Sequence, residues 1–168
     1  SRIRPRDLVP ITPAIAEPTT GETMGEAAEK MAKINHIARE DQDQFALRSH
    51  RLAHAGTVDG RLTAEIMPVW PPPKFEPLAA DNGIREDTTI EKLRELKPVF
   101  DRRYGTVTAG NSSPLTDGAA AVVLMSEEKA KAMGVVPMAY IRSYAYAALD
   151  PGEQLLMAPV LAAPVALA

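Results

Sequence analysis

Residues Gly105–Gly118 read G-T-V-T-A-G-N-S-S-P-L-T-D-G and run directly into Ala119–Gly134, A-A-A-V-V-L-M-S-E-E-K-A-K-A-M-G. Small and polar residues up to Gly118 describe a tight loop that enters a buried element. Ala119–Met125 is an unbroken apolar run, bounded by Asp117-Gly118 and by Ser126-Glu127-Glu128. That pattern predicts a strand covered on both faces, followed at once by a capped helix that stops at Gly134. Beyond it, Met138–Ala148 alternates Tyr140, Arg142, Tyr144 and Tyr146 with Ala139, Ile141, Ser143, Ala145 and Ala147, the period of a second strand. Asp150-Pro151-Gly152 is a turn, and the apolar residues from Gln154 onward read as helix. Two strands by themselves would leave backbone groups and apolar faces without partners. This half therefore reads as the start of a larger sheet.

Upstream the pattern is helical and rich in loops. Residues 1–21 contain Pro5, Pro10, Pro13 and Pro18 with no sustained period, which predicts an extended connector. Thr23 and Glu26 have capping-box spacing, and Met24, Ala27, Ala28 and Met31 form one apolar stripe. A helix is expected over about Glu22–Asn35. A second is expected over about Arg39–Ala55, with Glu40, Asp41 and Asp43 near its positive end, Gly56 at its stop and Phe45, Ser49 and Leu52 on its buried face. Asp59-Gly60 signals a turn, and the prolines between Pro68 and Pro77 make Ile66–Asn82 an irregular surface excursion. A short helix over about Thr89–Leu96 ends before Pro98.

Composition excludes several function classes. The 168 residues suffice for one domain with a core. Aromatics make up only 5% while Pro is 15 and Met 7, so the core is thin and built mainly from Ala, Val, Leu and Met. The net charge of -3, with basic residues scattered along the chain, does not support a nucleic-acid footprint. No apolar run approaches the roughly 20 residues that span a bilayer. Zero cysteines remove disulfides, thiolate metal sites and thiol catalysis from this chain. The start without Met and the uncapped apolar end, Val165–Ala168, read as cut ends. The pair His50 and His54 has the spacing of a helical zinc site, but Arg51 stands where a catalytic Glu belongs, and no metal is expected. No phosphate-cradling glycine motif is present. Trp70 among Pro71, Pro72 and Pro73 reads as an aromatic covering its own loop, with a partner or peripheral membrane contact as the alternative.

Several ordered segments resemble the thiolase family: E-T-M-G-E-A-A-E-K-M-A (Glu22–Ala32), D-Q-D-Q-F-A-L-R-S-H (Asp41–His50), D-N-G-I-R (Asp81–Arg85), K-P-V-F-D (Lys97–Asp101) and the Gly105–Gly118 loop. D-N-G-I-R, and P-M-A-Y-I-R-S-Y (Pro137–Tyr144) leading into D-P-G-E-Q-L-L (Asp150–Leu156), resemble most the thiolase subunit of fatty-acid oxidation trifunctional complexes. The resemblance implies an α/β, thiolase-like fragment: a helical, loop-rich loop domain that binds coenzyme A (22–117), the last strand and helix of the N-terminal half (118–137), and the start of the C-terminal half (138–168), a strand-helix-strand-helix series after the loop domain. It implies an acyltransferase that cleaves 3-ketoacyl-CoA with CoA into acetyl-CoA and a shortened acyl-CoA. CoA and acyl-CoA are then substrates, with no resident cofactor. A dimer or tetramer is implied, along with the rest of the thiolase chain and a hydratase/dehydrogenase subunit as partners. The implied setting is bacterial cytoplasm or mitochondrial matrix. Thiolysis needs a thiolate nucleophile, oxyanion donors and a base. The family's Cys and His motifs are not in this sequence, so no catalytic residue is assigned and the chain alone is expected to be inactive. A non-catalytic thiolase-like protein that binds CoA or serves in assembly is the alternative.

By the same resemblance, Ser113 contacts the pantetheine arm, while Ser112, Pro114 and Leu115 shape its tunnel. Read without the family, Gly-Asn-Ser-Ser is a turn whose serines satisfy local backbone. Arg85 falls where thiolases set an arginine against the adenine and phosphate end of CoA, a role that suits a guanidinium; its alternative is a solvated loop residue. His50 falls at a CoA-lining position, and Met24 would face the acyl or pantetheine end unless it packs in the core. Lys92 replaces a serine that some relatives place near the nucleotide.

Overall fold

The computed structural model describes residues 15–168. The chain forms two compact units, residues 1–114 and 115–168, each described by itself. The expected connector lies outside the described residues as far as residue 14. Its remainder is not extended: Pro18–Gly21 forms a turn in which Gly21 takes φ 73°, Glu17 caps the amides of Thr19 and Thr20, and Ala16 bridges back to Thr23.

The first unit is built on two helices. Helix α1 spans Met24–Ile34, opened by a complete capping box between Thr23 and Glu26. Its C-terminus is a Schellman motif: His36 N–H bonds Lys33 O and Ile37 N–H bonds Ala32 O. His36 takes the left-handed position usually given to glycine, at φ 53°. Helix α2 spans Arg39–Val58 and runs past Gly56, the expected stop. Gly56 is buried instead, packed so close to Leu62 that a Cβ would lie 3.1 Å from its Cγ. Helix α3, Ile90–Arg94, is capped by Thr89.

The face of α2 that turns inward is not the expected one. Phe45 is 69% and Leu52 55% exposed, and Ser49 is exposed as well. Arg39, Asp43 and Leu47 are turned in, with Asp43 fully buried. The reason is a set of polar partners far along the chain. Arg39 Nε holds the Asp43 carboxylate at 2.8 Å, while its Nη2 reaches the carbonyls of Leu93 (2.7 Å) and Leu96 (3.1 Å) and ties α2 to α3. A buried ion pair surrounded by carbonyls satisfies the groups that burial would otherwise leave costly.

The Ile66–Asn82 excursion is closed by a bridge between Val69 and Leu78, with both backbone hydrogen bonds formed at 3.1 and 2.8 Å. Trp70 is 56% exposed rather than packed over this loop, and Phe75 in the same excursion is 62% exposed.

In the second unit, helix α4 (Glu127–Met133) has the expected Ser126 cap and a left-handed Gly134 stop. The short α5 (Pro151–Gln154) is capped by Asp150, and α6 (Ala158–Leu167) follows through a 3-10 turn. The stretches read as strands, 119–125 and 138–148, carry no ladder: the β pairings among the described residues are the two isolated bridges above. A strand exists through its neighbours' hydrogen bonds, and within this unit neither stretch meets one. Val122 and Val123 accordingly stand 83% and 82% exposed.

Candidate functional site

The loop that opens the motif is fixed before its serines begin. Glu29, on α1 and 4% exposed, accepts the backbone N–H groups of Thr106 and Val107 at 2.9 Å. Gln42 of α2 donates to Thr106 Oγ1 at 2.8 Å, and that hydroxyl in turn donates to Glu29 at 3.2 Å. Asn111 then closes the turn. Its Oδ1 accepts Thr108 N–H at 2.7 Å, while its Nδ2 donates to Asp43 at 2.9 Å and to Thr106 O at 3.0 Å. Glu29 of α1 thus takes the place of ladder acceptors for this backbone, and Asp43 of α2 holds it indirectly through the Asn111 side chain. Gly105 is required by contact: a Cβ would come 2.3 Å from the Asp101 carbonyl oxygen and 2.8 Å from Glu29 Oε2.

Ser112 and Ser113 follow this anchor directly. Both are exposed. The turn reading had their hydroxyls bonded to local backbone; instead Asn111 and Thr108 do that work. Met24 sits in the first turn of α1 at 43% exposure, only partly packed. Leu115 is 81% exposed and belongs to the second unit.

Arg85 and His50 are brought together. The Arg85 N–H donates to His50 Nδ1 at 3.3 Å, and His54 Nδ1 lies 3.5 Å from the Glu86 carboxylate. The two histidines of the zinc-like spacing therefore engage successive residues of the 85–86 segment. Lys92 bonds Asp87 at 2.6 Å and its carbonyl at 2.8 Å, and this contact holds the Asp87 carboxyl below its ordinary range.

The strongest electrostatic perturbation lies elsewhere. Asp101 accepts from Lys33 at 2.5 Å and from the amides of Arg103 and Tyr104, which lower its pKa to about 2, Lys33 contributing most. An open groove of about 410 Å³ lies between α1 and Phe100–Asp101. None of the expected site residues lines it. Among the described residues no cluster of three His, Asp or Glu side chains is arranged to hold a metal, and no helix is long and apolar enough to cross a membrane.

Helical loop unit and stapled serine loop together define a class, the N-terminal region of thiolases: residues 6–128 match the family model "Thiolase, N-terminal domain". The chain belongs to the thiolase family. It is 52% identical over 167 residues to a 3-ketoacyl-CoA thiolase of Klebsiella pneumoniae, a match that covers 99% of this chain and 38% of that protein. A Pectobacterium atrosepticum 3-ketoacyl-CoA thiolase is 51% identical over 168 residues. Among solved structures, human mitochondrial 3-ketoacyl-CoA thiolase in complex with CoA superposes with a TM-score of 0.81 at 34% identity, covering 91% of this chain and 38% of that one. Bacillus anthracis acetyl-CoA acetyltransferase does so with 0.75 at 43% identity, covering 82% and 35%. The chain thus spans about two fifths of the length of these relatives.

Proposed function

We propose that this chain is the coenzyme A-holding part of a 3-ketoacyl-CoA thiolase, an acetyl-CoA C-acyltransferase of fatty-acid β-oxidation. The observation that carries this reading is the 52% identity to 3-ketoacyl-CoA thiolases across 99% of the chain. The stapled loop supports it chemically. A rigid backbone that ends in exposed Ser112 and Ser113 offers hydroxyls to an amide-bearing pantetheine arm without an ordering cost at the moment of binding. Met24, 43% exposed, supplies apolar surface for the arm or the acyl end. Arg85 supplies a planar cation for the nucleotide's phosphate and adenine. Residues 22–117 act as the loop domain, and 118–137 and 138–168 as pieces of the two core halves.

Cleavage of the 3-ketoacyl chain needs a thiolate to attack the keto carbon and a second thiol to be readied by a base. This chain has no cysteine, so by itself it holds CoA and does not turn it over. The working enzyme is a homodimer or tetramer, joined by a hydratase/dehydrogenase subunit, in bacterial cytoplasm or mitochondrial matrix.

Calorimetric titration of the 168-residue chain with CoA tests the reading, with Ser113→Ala and Arg85→Ala beside the wild type. Each variant should weaken binding by roughly threefold to tenfold, the worth of one hydrogen bond or charge contact. Unchanged affinity in both removes the site assignment, and turnover of acetoacetyl-CoA by pure chain overturns the division of labour.

A further inference from the structure

His50 makes a contact that differs from lining a ligand. Its Nδ1 accepts the backbone N–H of Arg85 at 3.3 Å, so the ring carries its proton on Nε2. One turn further along α2, His54 faces Glu86 at 3.5 Å, and Lys92 holds Asp87 from the other side at 2.6 Å. Residues 79–89 contain neither helix nor bridge. Three consecutive residues, 85, 86 and 87, are therefore each met by a side chain of α2 or α3, beside one backbone turn bond from Thr88 N–H to Arg85 O at 3.3 Å. The Arg85 guanidinium is exposed; its charge contributes to holding the Asp87 carboxyl low, and no hydrogen bond or close ion pair from it is found among the described residues.

We propose that His50 is a positioning residue: by accepting the Arg85 amide at Nδ1 it fixes that stretch of backbone on α2 and presents the guanidinium to the anionic end of a CoA nucleotide. The inference rests on the CoA reading above. An arginine on a loose loop must be ordered when it binds, and that loss of freedom subtracts from affinity; a backbone already pinned at the Cα leaves only the side chain to be ordered. Such a role needs an acceptor at one position and nothing else of the imidazole. Asparagine carries its Oδ1 at the same distance along the side chain as Nδ1, so it can substitute; alanine cannot.

The experiment uses the full 168-residue chain as wild type, His50→Ala and His50→Asn. Amide hydrogen exchange at Arg85 is followed by NMR, and CoA is titrated into each protein. His50→Ala should speed Arg85 exchange by at least about threefold and weaken CoA by about threefold to tenfold, while the amides of α2 stay protected. His50→Asn should restore both. An Arg85 amide indifferent to His50→Ala overturns the tether. Restored exchange with affinity still as low as in His50→Ala overturns the positioning role in favour of direct contact between imidazole and ligand. If the wild type takes up no CoA, the CoA reading and the presentation role fall together, and the exchange data alone decide whether the tether stands.

Discussion

Replacing Glu29 by alanine should release the serine loop from α1. The carboxylate is 4% exposed and is the acceptor for two consecutive backbone amides, Thr106 and Val107, each at 2.9 Å. Val107 is itself buried, so its amide cannot turn to water once the acceptor is gone. Hydrogen bonds to a charged group contribute roughly 1.5–3 kcal/mol each, and a buried donor left unmade costs a similar amount. Because the two bonds share one carboxylate they will not add fully, and a loss of about 3–5 kcal/mol is expected. Against a typical total of ~5–15 kcal/mol that is a large share. Glu29→Gln keeps one oxygen but points an amide at the remaining donor, so it should lose about half as much. The assay is urea unfolding of the full chain, followed by circular dichroism and read at constant slope. If Glu29→Ala unfolds within about 0.5 kcal/mol of wild type, the two amides have other partners and the staple is not what holds the loop. Should the alanine variant fail to fold, the glutamine variant decides the same point.

Gly105→Ala should destabilise the same unit by ~3 kcal/mol, because its Cβ would meet the Asp101 carbonyl oxygen at 2.3 Å and a backbone atom cannot swing aside; a melting temperature equal to wild type would refute this. Acid sensitivity should depend on Asp101, whose pKa is lowered from 3.8 to about 2 by Lys33 and the amides of Arg103 and Tyr104. A carboxyl depressed in the folded state stabilises above its unfolded pKa and loses that stabilisation as pH falls through the folded one. Wild type and Asp101→Asn should therefore differ in unfolding midpoint at pH 5 and converge by about pH 2, and a constant difference over that window would be contrary to the linkage.

What was legible in the sequence was local. The Thr23–Glu26 capping box, the capped helix after Ser126 and the Gly134 stop form within one turn of helix and need no distant partner. The family resemblance, carried by several short segments in order, also needed no coordinates.

The tertiary structure decided which face of α2 turns inward and how the serine loop is held. Apolar periodicity pointed to Phe45 and Leu52, but the face that packs runs through Arg39, Asp43, Leu47, His50 and His54, a mostly polar stripe on one side of the helix. A polar stripe is buried only when partners meet it, and these partners lie far along the chain: Arg85 is 35 residues from His50, Leu93 is 54 from Arg39 and Asn111 is 68 from Asp43. Glu29 likewise waits for amides 77 and 78 positions on. Hydropathy records the cost of burying a charge and is silent about the amides that offset it. For the same reason the apolar run at 119–125 and the alternation at 138–148 announce a preference for strand that only neighbouring strands can realise. The chain's local chemistry thus set its caps, turns and family, while the contacts between residues far apart in sequence set which charges are interior and so where Ser112, Ser113 and Arg85 stand exposed.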